Sequence, residues 1–290
     1  MLALLQPGHD RVQRHALLGL QFRDAVTRQV VDGGLQVTLQ DRWRPQRVQA
    51  LAANRSGIFA LHAGPGLHGF AAPAPAPAPL SPAEPARFQL QVRDTRGRYL
   101  PVCLLPELPS AGLWAPAGAW TSPPGTSPPG FSPATPWVPL YSATTRPVPP
   151  AMASLRVALR RAGQPTRPAP WARLELWLGS TQVAEGLADE AGRALLVFPL
   201  PRPREAALGA SPAGRPPAFE WTVTLRGFWN PAFAASDAAA VPDFDAVFSQ
   251  PEAGLLSSVV PAVPLPPLWL RAGETLMAHQ PPESCVYVAE

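Results

Sequence analysis

"GLADEAGRALLVFPLP", residues 186–201, sets Asp189, Glu190, Gly192 and Arg193 directly ahead of an apolar run. The two acids can form an active-site or cation-binding pair at a strand end, or they can be the polar corner of a β-hairpin. The spacing favours the hairpin. An Asp or Asn at the first turn position accepts hydrogen bonds from backbone N–H groups on the far side of the turn. Further along, the chain must take a left-handed conformation, which glycine adopts without steric cost. The same Asp/Asn-x-x-Gly-x-apolar spacing recurs in "VRDTRGRYLPV", with Asp94 and Gly97, and in "AANRSGIFALH", with Asn54 and Gly57. Three copies predict three hairpin corners, at Asn54/Gly57, Asp94/Gly97 and Asp189/Gly192. No third acid and no histidine stands near Asp189 and Glu190, so the pair receives no catalytic or metal role.

The segments around these corners alternate with period two. Leu35, Val37 and Leu39 oppose Gln36, Thr38 and Gln40; Phe88, Leu90 and Val92 oppose Gln89, Gln91 and Arg93. Leu155, Val157 and Leu159 oppose Arg156 and Arg160, and Phe219, Trp221, Val223 and Leu225 oppose Glu220, Thr222, Thr224 and Arg226. One buried and one wet face per strand marks antiparallel sheets in a sandwich or barrel. The expected fold is all-β: two immunoglobulin- or transthyretin-like antiparallel sandwiches with proline-rich extended connectors. The expected domains are an N-terminal arm at 1–15, a first sandwich at 16–107 with an Ala-Pro insert at 71–86, a connector at 108–150, a second sandwich at 151–230, and an irregular tail at 231–290 closing in a β-hairpin. Helix is expected only in the first 15 or so residues and in "FDAVFSQPEAGLL".

Composition agrees with this pattern. The 290-residue chain is 46% hydrophobic and 15% charged, enough for a sizeable core, and its 41 prolines and 22 glycines disfavour long helices. Its positive charges are all arginine, without a lysine, and the formal net charge is +4. The arginines are scattered, as a GC-rich coding sequence produces, and form no nucleic-acid-binding stripe; no nucleic-acid partner is expected. Cys103 and Cys285 stand far apart and read as two buried free thiols of a reducing compartment. The start lacks a basic signal-peptide region, and "GLLSSVVPAVPLPPLWL" (254–270) is interrupted by four prolines, so synthesis in the cytoplasm without membrane insertion is expected.

The 108–150 connector carries Trp114, Trp120, Phe131, Trp137 and Tyr141 around a tandem "TSPPG". Aromatic residues in a segment without its own core lie on a partner or on an adjacent domain, so these five, with Trp177 opposite Leu174, Leu176 and Leu178, are the candidate partner contacts. Other chemistry is thin. His62 and His68 lack standard metal-ligand spacing, Asp243 and Asp245 sit among proline and phenylalanine as a docked loop, and Cys103 has no basic neighbour in sequence. No G-x-S-x-G, P-loop, H-E-x-x-H or G-x-G-x-x-G motif occurs. No catalytic residue, metal or cofactor is expected.

A strand, then "G-x-A-D-x-x-G-R" and an apolar strand ending in proline, resembles the carboxypeptidase-regulatory-like (transthyretin-like) β-sandwich. The likeness covers about 151–200 and, more loosely, 18–70. The order of "SGIFALHAGPGL", "F-x-L-x-V-x-D-x-x-G-R-Y-L-P", "VPLYSATTRPVPP" and "GLADEAGRALLVFPLP" resembles a family of bacterial proteins encoded with phage-tail-like contractile injection systems. That resemblance implies a non-enzymatic structural subunit at a baseplate, at a cap or between rings. It would bind other subunits of a multi-protein particle in a symmetric ring, and the assembled particle could leave the cell. The alternative class is a carbohydrate- or ligand-binding sandwich using Trp171, Trp177, Trp221 or Trp229, of which Trp177 is the better surface candidate. A hydrolase would need a site that no motif marks.

Overall fold

The computed structural model describes residues 16–62, 88–108, 110, 113–117, 136–201, 220–235, 240–271, 274–278 and 284–289. The arm at 1–15, the Ala-Pro insert, the tandem "TSPPG" with Trp120 and Phe131, and most of the 201–218 loop lie outside the described residues. The fold is an all-β sandwich architecture built from several largely antiparallel sheets.

The first half contributes β1 (Leu18–Asp24), β2 (Leu35–Asp41), β3 (Arg44–Leu51), β4 (Ile58–Leu61), β5 (Phe88–Asp94), β6 (Val102–Leu104) and β7 (Val138–Leu140). They form a three-stranded sheet, β4-β1-β7, and a four-stranded sheet, β3-β2-β5-β6. The alternation predicted for β2 and β5 holds. Val37 and Leu39 pair with Val92 and Leu90 and turn inward, onto a core that includes Leu20, Phe22, Phe59 and Leu104. Each such side chain contributes about 1.5–3 kcal/mol by leaving water. The connector is partly built into this half. β7 runs parallel to β1, pairing Val138 with Phe22, and the Trp114 N–H donates to the Gly19 carbonyl at 2.8 Å.

The second half begins with β8 (Met152–Arg161), β9 (Gln164–Pro168), β10 (Arg173–Leu178), β11 (Thr181–Leu187), β12 (Arg193–Pro199) and β13 (Glu220–Phe228). Two short helices follow, α1 (Ala232–Ala235) and α2 (Phe244–Phe248). The last strands are β14 (Glu252–Ala253), β15 (Leu255–Val259), β16 (Ala262–Pro264), β17 (Leu268–Arg271), β18 (Thr275–Met277) and β19 (Val286–Val288). One sheet runs β11-β10-β13-β14 with β17 on β13; the other runs β12-β8-β19-β15-β16 with β9 and β18 on β8.

The residues after 230 therefore differ from the irregular tail read in the sequence. Both β18 and β19 run parallel to β8, at Ser154–Arg156 and Leu159–Arg161 respectively, and do not pair with each other as a hairpin. Their contacts cross more than a hundred residues, and such short strands carry too few positions for periodicity to register. The helix expected in "FDAVFSQPEAGLL" is present as α2, capped by the Asp243 carboxylate accepting from the Ala246 N–H at 3.3 Å. Phe244 and Val247 of α2 are buried in the first-half core, together with Leu187 of β11.

Candidate functional site

The three predicted corners share one geometry. At Asp189, Oδ1 accepts from the N–H groups of Ala191 and Arg193, each at 2.9 Å, and Gly192 takes φ +73°. At Asp94 the carboxylate accepts from the Arg96 and Arg98 N–H groups at 3.4 and 2.6 Å, and Gly97 takes φ +66°. At Asn54 the side-chain oxygen accepts from Ser56 and Ile58 at 2.9 and 3.0 Å, and Gly57 takes φ +71°. In the two acidic copies the arginine after the glycine folds back onto the carboxylate, with Arg98–Asp94 at 3.0 Å and Arg193–Asp189 at 2.9 Å. Each acid is occupied in holding its turn. Burial opposes ionisation of Asp94, yet the Arg98 side chain and the turn N–H groups hold its carboxyl below the ordinary value.

A third acid, Asp24 at the end of β1, anchors a buried cluster. Its Oδ1 accepts from the Val26 N–H at 2.8 Å, and its Oδ2 accepts from the Tyr99 hydroxyl at 2.9 Å and from Arg146 Nη2 at 2.5 Å. Arg146 also donates to Ser142 Oγ at 2.9 Å and lies over the Tyr99 ring. Burial works against the Asp24 charge, but Arg146 and the backbone donors win and hold the carboxyl below its usual value. The Tyr99 phenol moves the other way, pushed up to about 12 by burial and by the neighbouring Asp24 charge. The cluster is saturated with partners, which suits a fastener between β1 and the connector.

The second polar cluster joins the two halves. Tyr141, one residue beyond β7, donates its hydroxyl to Glu185 Oε2 at 2.8 Å. Arg173 Nη1 bridges Glu185 Oε1 at 3.0 Å and Glu175 Oε1 at 2.8 Å, and its guanidinium lies 3.8 Å from the Phe228 ring centroid. Phe248 of α2 packs on Tyr141 at 5.7 Å between centroids and on Phe244 at 4.3 Å. Glu175 Oε2 also accepts from Trp177 Nε1 at 3.1 Å, and Arg226 covers the Trp177 ring at 4.7 Å. Burial raises the Glu185 carboxyl above its ordinary value despite the donors from Tyr141 and Arg173, and burial likewise raises the Tyr141 phenol.

The candidate contact aromatics thus separate. Tyr141 is buried in the joint, Trp114 packs partly against the first core, and Trp137 is half-buried beneath the Arg23 guanidinium. Trp177 is half-buried between Glu175 and Arg226. Trp171 and Trp229 are buried, and Trp221 packs against the second core. Among the described residues, the most exposed large apolar side chains are Trp43 (60% exposed), Val48 (56%), Val260 (88%) and Trp269 (63%), none of them a candidate contact by sequence pattern. They sit at hairpin tips and on sheet-edge strands; for Trp43 the sequence signal is "RWRPQR" at 42–47, an apolar residue amid charge at the β2–β3 turn and the start of β3. Cys103 and Cys285 are buried and unpaired. Among the described residues no three His, Cys, Asp or Glu side chains gather as a metal site, and no helix is long and apolar enough to cross a membrane.

One sheet face is largely polar, and its β6 margin is covered, with Cys103 buried and bridged to Asp243. Outward on the sheet β3-β2-β5-β6, the register sets Val48, Gln40 and Gln89 in one row, Ala50, Thr38, Gln91 and Cys103 in the next, and Gln36 beside Arg93 in the third. A concavity of about 100 Å³ opens on it, lined by Gln89, Gln91, Arg93, Pro101, Ala240 and Val241 among others.

No family model matches the chain, and no curated protein matches it. Among solved structures, the Bacillus anthracis TIE protein is similar with a TM-score of 0.23 and 9% identity, over 94% of this chain and 34% of that one. The chain spans about a third of the length of that structure.

Proposed function

We propose that the chain is a non-enzymatic structural subunit that works through protein–protein contacts. The observation that carries this reading is the placement of its exposed apolar side chains. Trp43 and Val48 mark the β2–β3 hairpin of one half, while Val260 at the β15–β16 turn and Trp269 on β17 mark the other. Large apolar groups at hairpin tips and sheet edges are a common form of contact surface, because a tip reaches into a neighbour and an edge offers unpaired backbone groups. The joint of Tyr141, Glu185, Arg173 and α2 holds these two surfaces on one body, as a spacer or adaptor requires.

The resemblance described above directs this role to a phage-tail-like contractile injection particle, at its baseplate, its cap or between rings. The subunit would be made in the cytoplasm and leave the cell only within the assembled particle. The test is to purify particles from the source organism and locate the chain by electron microscopy and mass spectrometry. Its presence at a fixed position, lost with Trp43→Ser or Trp269→Ser, supports the reading. A chain that stays monomeric and absent from every particle overturns it.

A further inference from the structure

We propose that the β2–β3 tip docks on an acidic patch of a different protein, seating Trp43 in an apolar recess and pairing Arg44 and Arg47 with carboxylates around it. This inference rests on the contact reading above and names the chemistry of one partner. Every residue from 42 to 48 is exposed, Trp43 by 60% and Val48 by 56%. The register steps from Gln40 opposite Val48 to Asp41 opposite Arg44, which leaves Pro45, Gln46 and Arg47 as a bulge with no residue opposite them on β2. The base of the tip is held. Asp41 Oδ1 accepts from the Trp43 N–H at 3.0 Å, and Gln40 Nε2 donates to the Pro45 carbonyl at 2.7 Å. A tip already fixed in shape loses little freedom on docking.

Charge complementarity sets the kind of partner. No Asp or Glu occurs from 42 to 62. Among the described residues Arg44 and Arg47 make no hydrogen bond or ion pair. Arg42 is left out of the balance, because with Asp243 it acts on the Cys103 thiol. Asp41 is counted in full, and Arg44 and Arg47 still set two positive charges against its one negative charge. Tryptophan and arginine are the side chains on which protein interfaces most depend, and two guanidinium groups beside an indole suit the rim of such a contact. They are too few for a nucleic-acid backbone, where about six to ten phosphate contacts are usual. They are also too few for an anionic membrane surface, which takes clusters of about four to eight. Strand addition at the β3 edge is disfavoured, since Pro45 has no N–H and the bulge interrupts the ladder. A second copy of this chain is disfavoured as well. Tip against tip sets like charges together, and the other contact surface, with Val260, Val263 and Trp269, lies in 254–270, which holds no charged residue to pair the arginines.

The experiment measures binding of the full chain to a random glutamate–tyrosine copolymer by interferometry, with single-stranded DNA and phosphatidylglycerol vesicles as the other probes. The copolymer should be held most tightly, and its affinity should fall as salt rises from about 0.05 to about 0.5 M, as screening of exposed charges requires. Arg44→Ala/Arg47→Ala and Trp43→Ser should each bind about tenfold more weakly at low salt. Arg55→Ala/Arg167→Ala removes the same charge at exposed positions away from the tip and should bind as the parent does, as should Val260→Ser/Val263→Ser. Thermal melting confirms that each variant is folded. Stronger binding to DNA or vesicles, an affinity indifferent to salt, an equal loss in Arg55→Ala/Arg167→Ala, a dimer of the chain abolished by Trp43→Ser, or no binding would each overturn the proposal. The two readings fail separately. A parent chain absent from particles rejects the contact role, whereas a parent chain present there, with Arg44→Ala/Arg47→Ala retained equally well at raised salt, rejects only the acidic partner.

Discussion

The Tyr141 hydroxyl donates to Glu185 Oε2 at 2.8 Å, so a side chain from the end of β7 is tied to one on β11 and the two halves share a buried hydrogen bond. Removing the donor leaves a carboxylate that is largely shielded from water and short of one partner. Tyr141→Phe should therefore destabilise the protein by about 1–3 kcal/mol. The double variant with Glu185→Gln should cost less than the sum of the two singles. Urea denaturation of the four proteins measures the coupling, and strict additivity would refute a direct Tyr141–Glu185 bond.

Glu185 also predicts a pH dependence. Burial raises its folded value above the ordinary 4.5, so the folded state holds the proton more tightly than the unfolded chain. The stability it contributes is full below pH 4.5 and is lost as pH rises through the higher folded value. Glu185→Gln should flatten the stability curve over that window. Denaturation midpoints taken at half-unit steps for the two proteins provide the check, and parallel curves would reject the assignment.

Asp24 has the opposite sign. Its folded value lies below the ordinary 3.8, so its contribution is present above pH 3.8 and is lost as pH falls through the lower folded value. Asp24→Asn leaves the buried Arg146 guanidinium without its counter-charge, a loss of about 3–5 kcal/mol. The variant should melt well below the parent at neutral pH, with the gap narrowing in strong acid. A melting temperature within a degree or two of the parent would contradict the cluster described here.

Gly192 and Gly97 separate strain from crowding. Both take positive φ, so alanine costs about 1–2 kcal/mol at either position. A Cβ on Gly192 would also press on the Leu159 carbonyl oxygen, whereas at Gly97 the nearest atom is Thr145 Oγ1 at 3.6 Å. Gly192→Ala should be clearly the more damaging, and equal melting temperatures for the two variants would argue against the packing of that corner on β8.

The turn acids should matter for folding and not for chemistry. Asp189→Asn keeps an oxygen for the Ala191 and Arg193 N–H groups and loses only the charge of an ion pair whose arginine is mostly exposed, so it should cost under about 1 kcal/mol. Asp189→Ala loses the turn bonds as well and should cost about 1–2 kcal/mol more. Chemical denaturation distinguishes the two, and equal costs would mean that accepting from the turn N–H groups is not the reason for the aspartate.

What was legible in the sequence was local. The corners at Asn54, Asp94 and Asp189 could be read because acid, glycine and flanking alternation lie within about six residues. β2, β5 and β13 alternate over seven to nine positions, and α2 falls within "FDAVFSQPEAGLL", although Asp243, read as part of a docked loop, proves to be its cap. The joint was hidden because Tyr141, Arg173, Glu185 and Phe248 come from four separate segments, and no spacing rule brings them together. Trp43 and Trp269 escaped notice for a different reason: exposure is fixed by what the rest of the fold fails to cover.

The parallel placement of β18 and β19 beside β8 bears on the order in which the chain can fold. β8 emerges during synthesis more than a hundred residues before β18 and β19. Phe244 and Val247, which belong to the first-half core, also arrive late. A nascent chain ending near residue 230 would expose apolar surface in both halves. Cutting the protein between its sandwiches should therefore yield two incomplete fragments. Recombining those fragments, each holding what the other lacks, offers a way to watch the joint assemble.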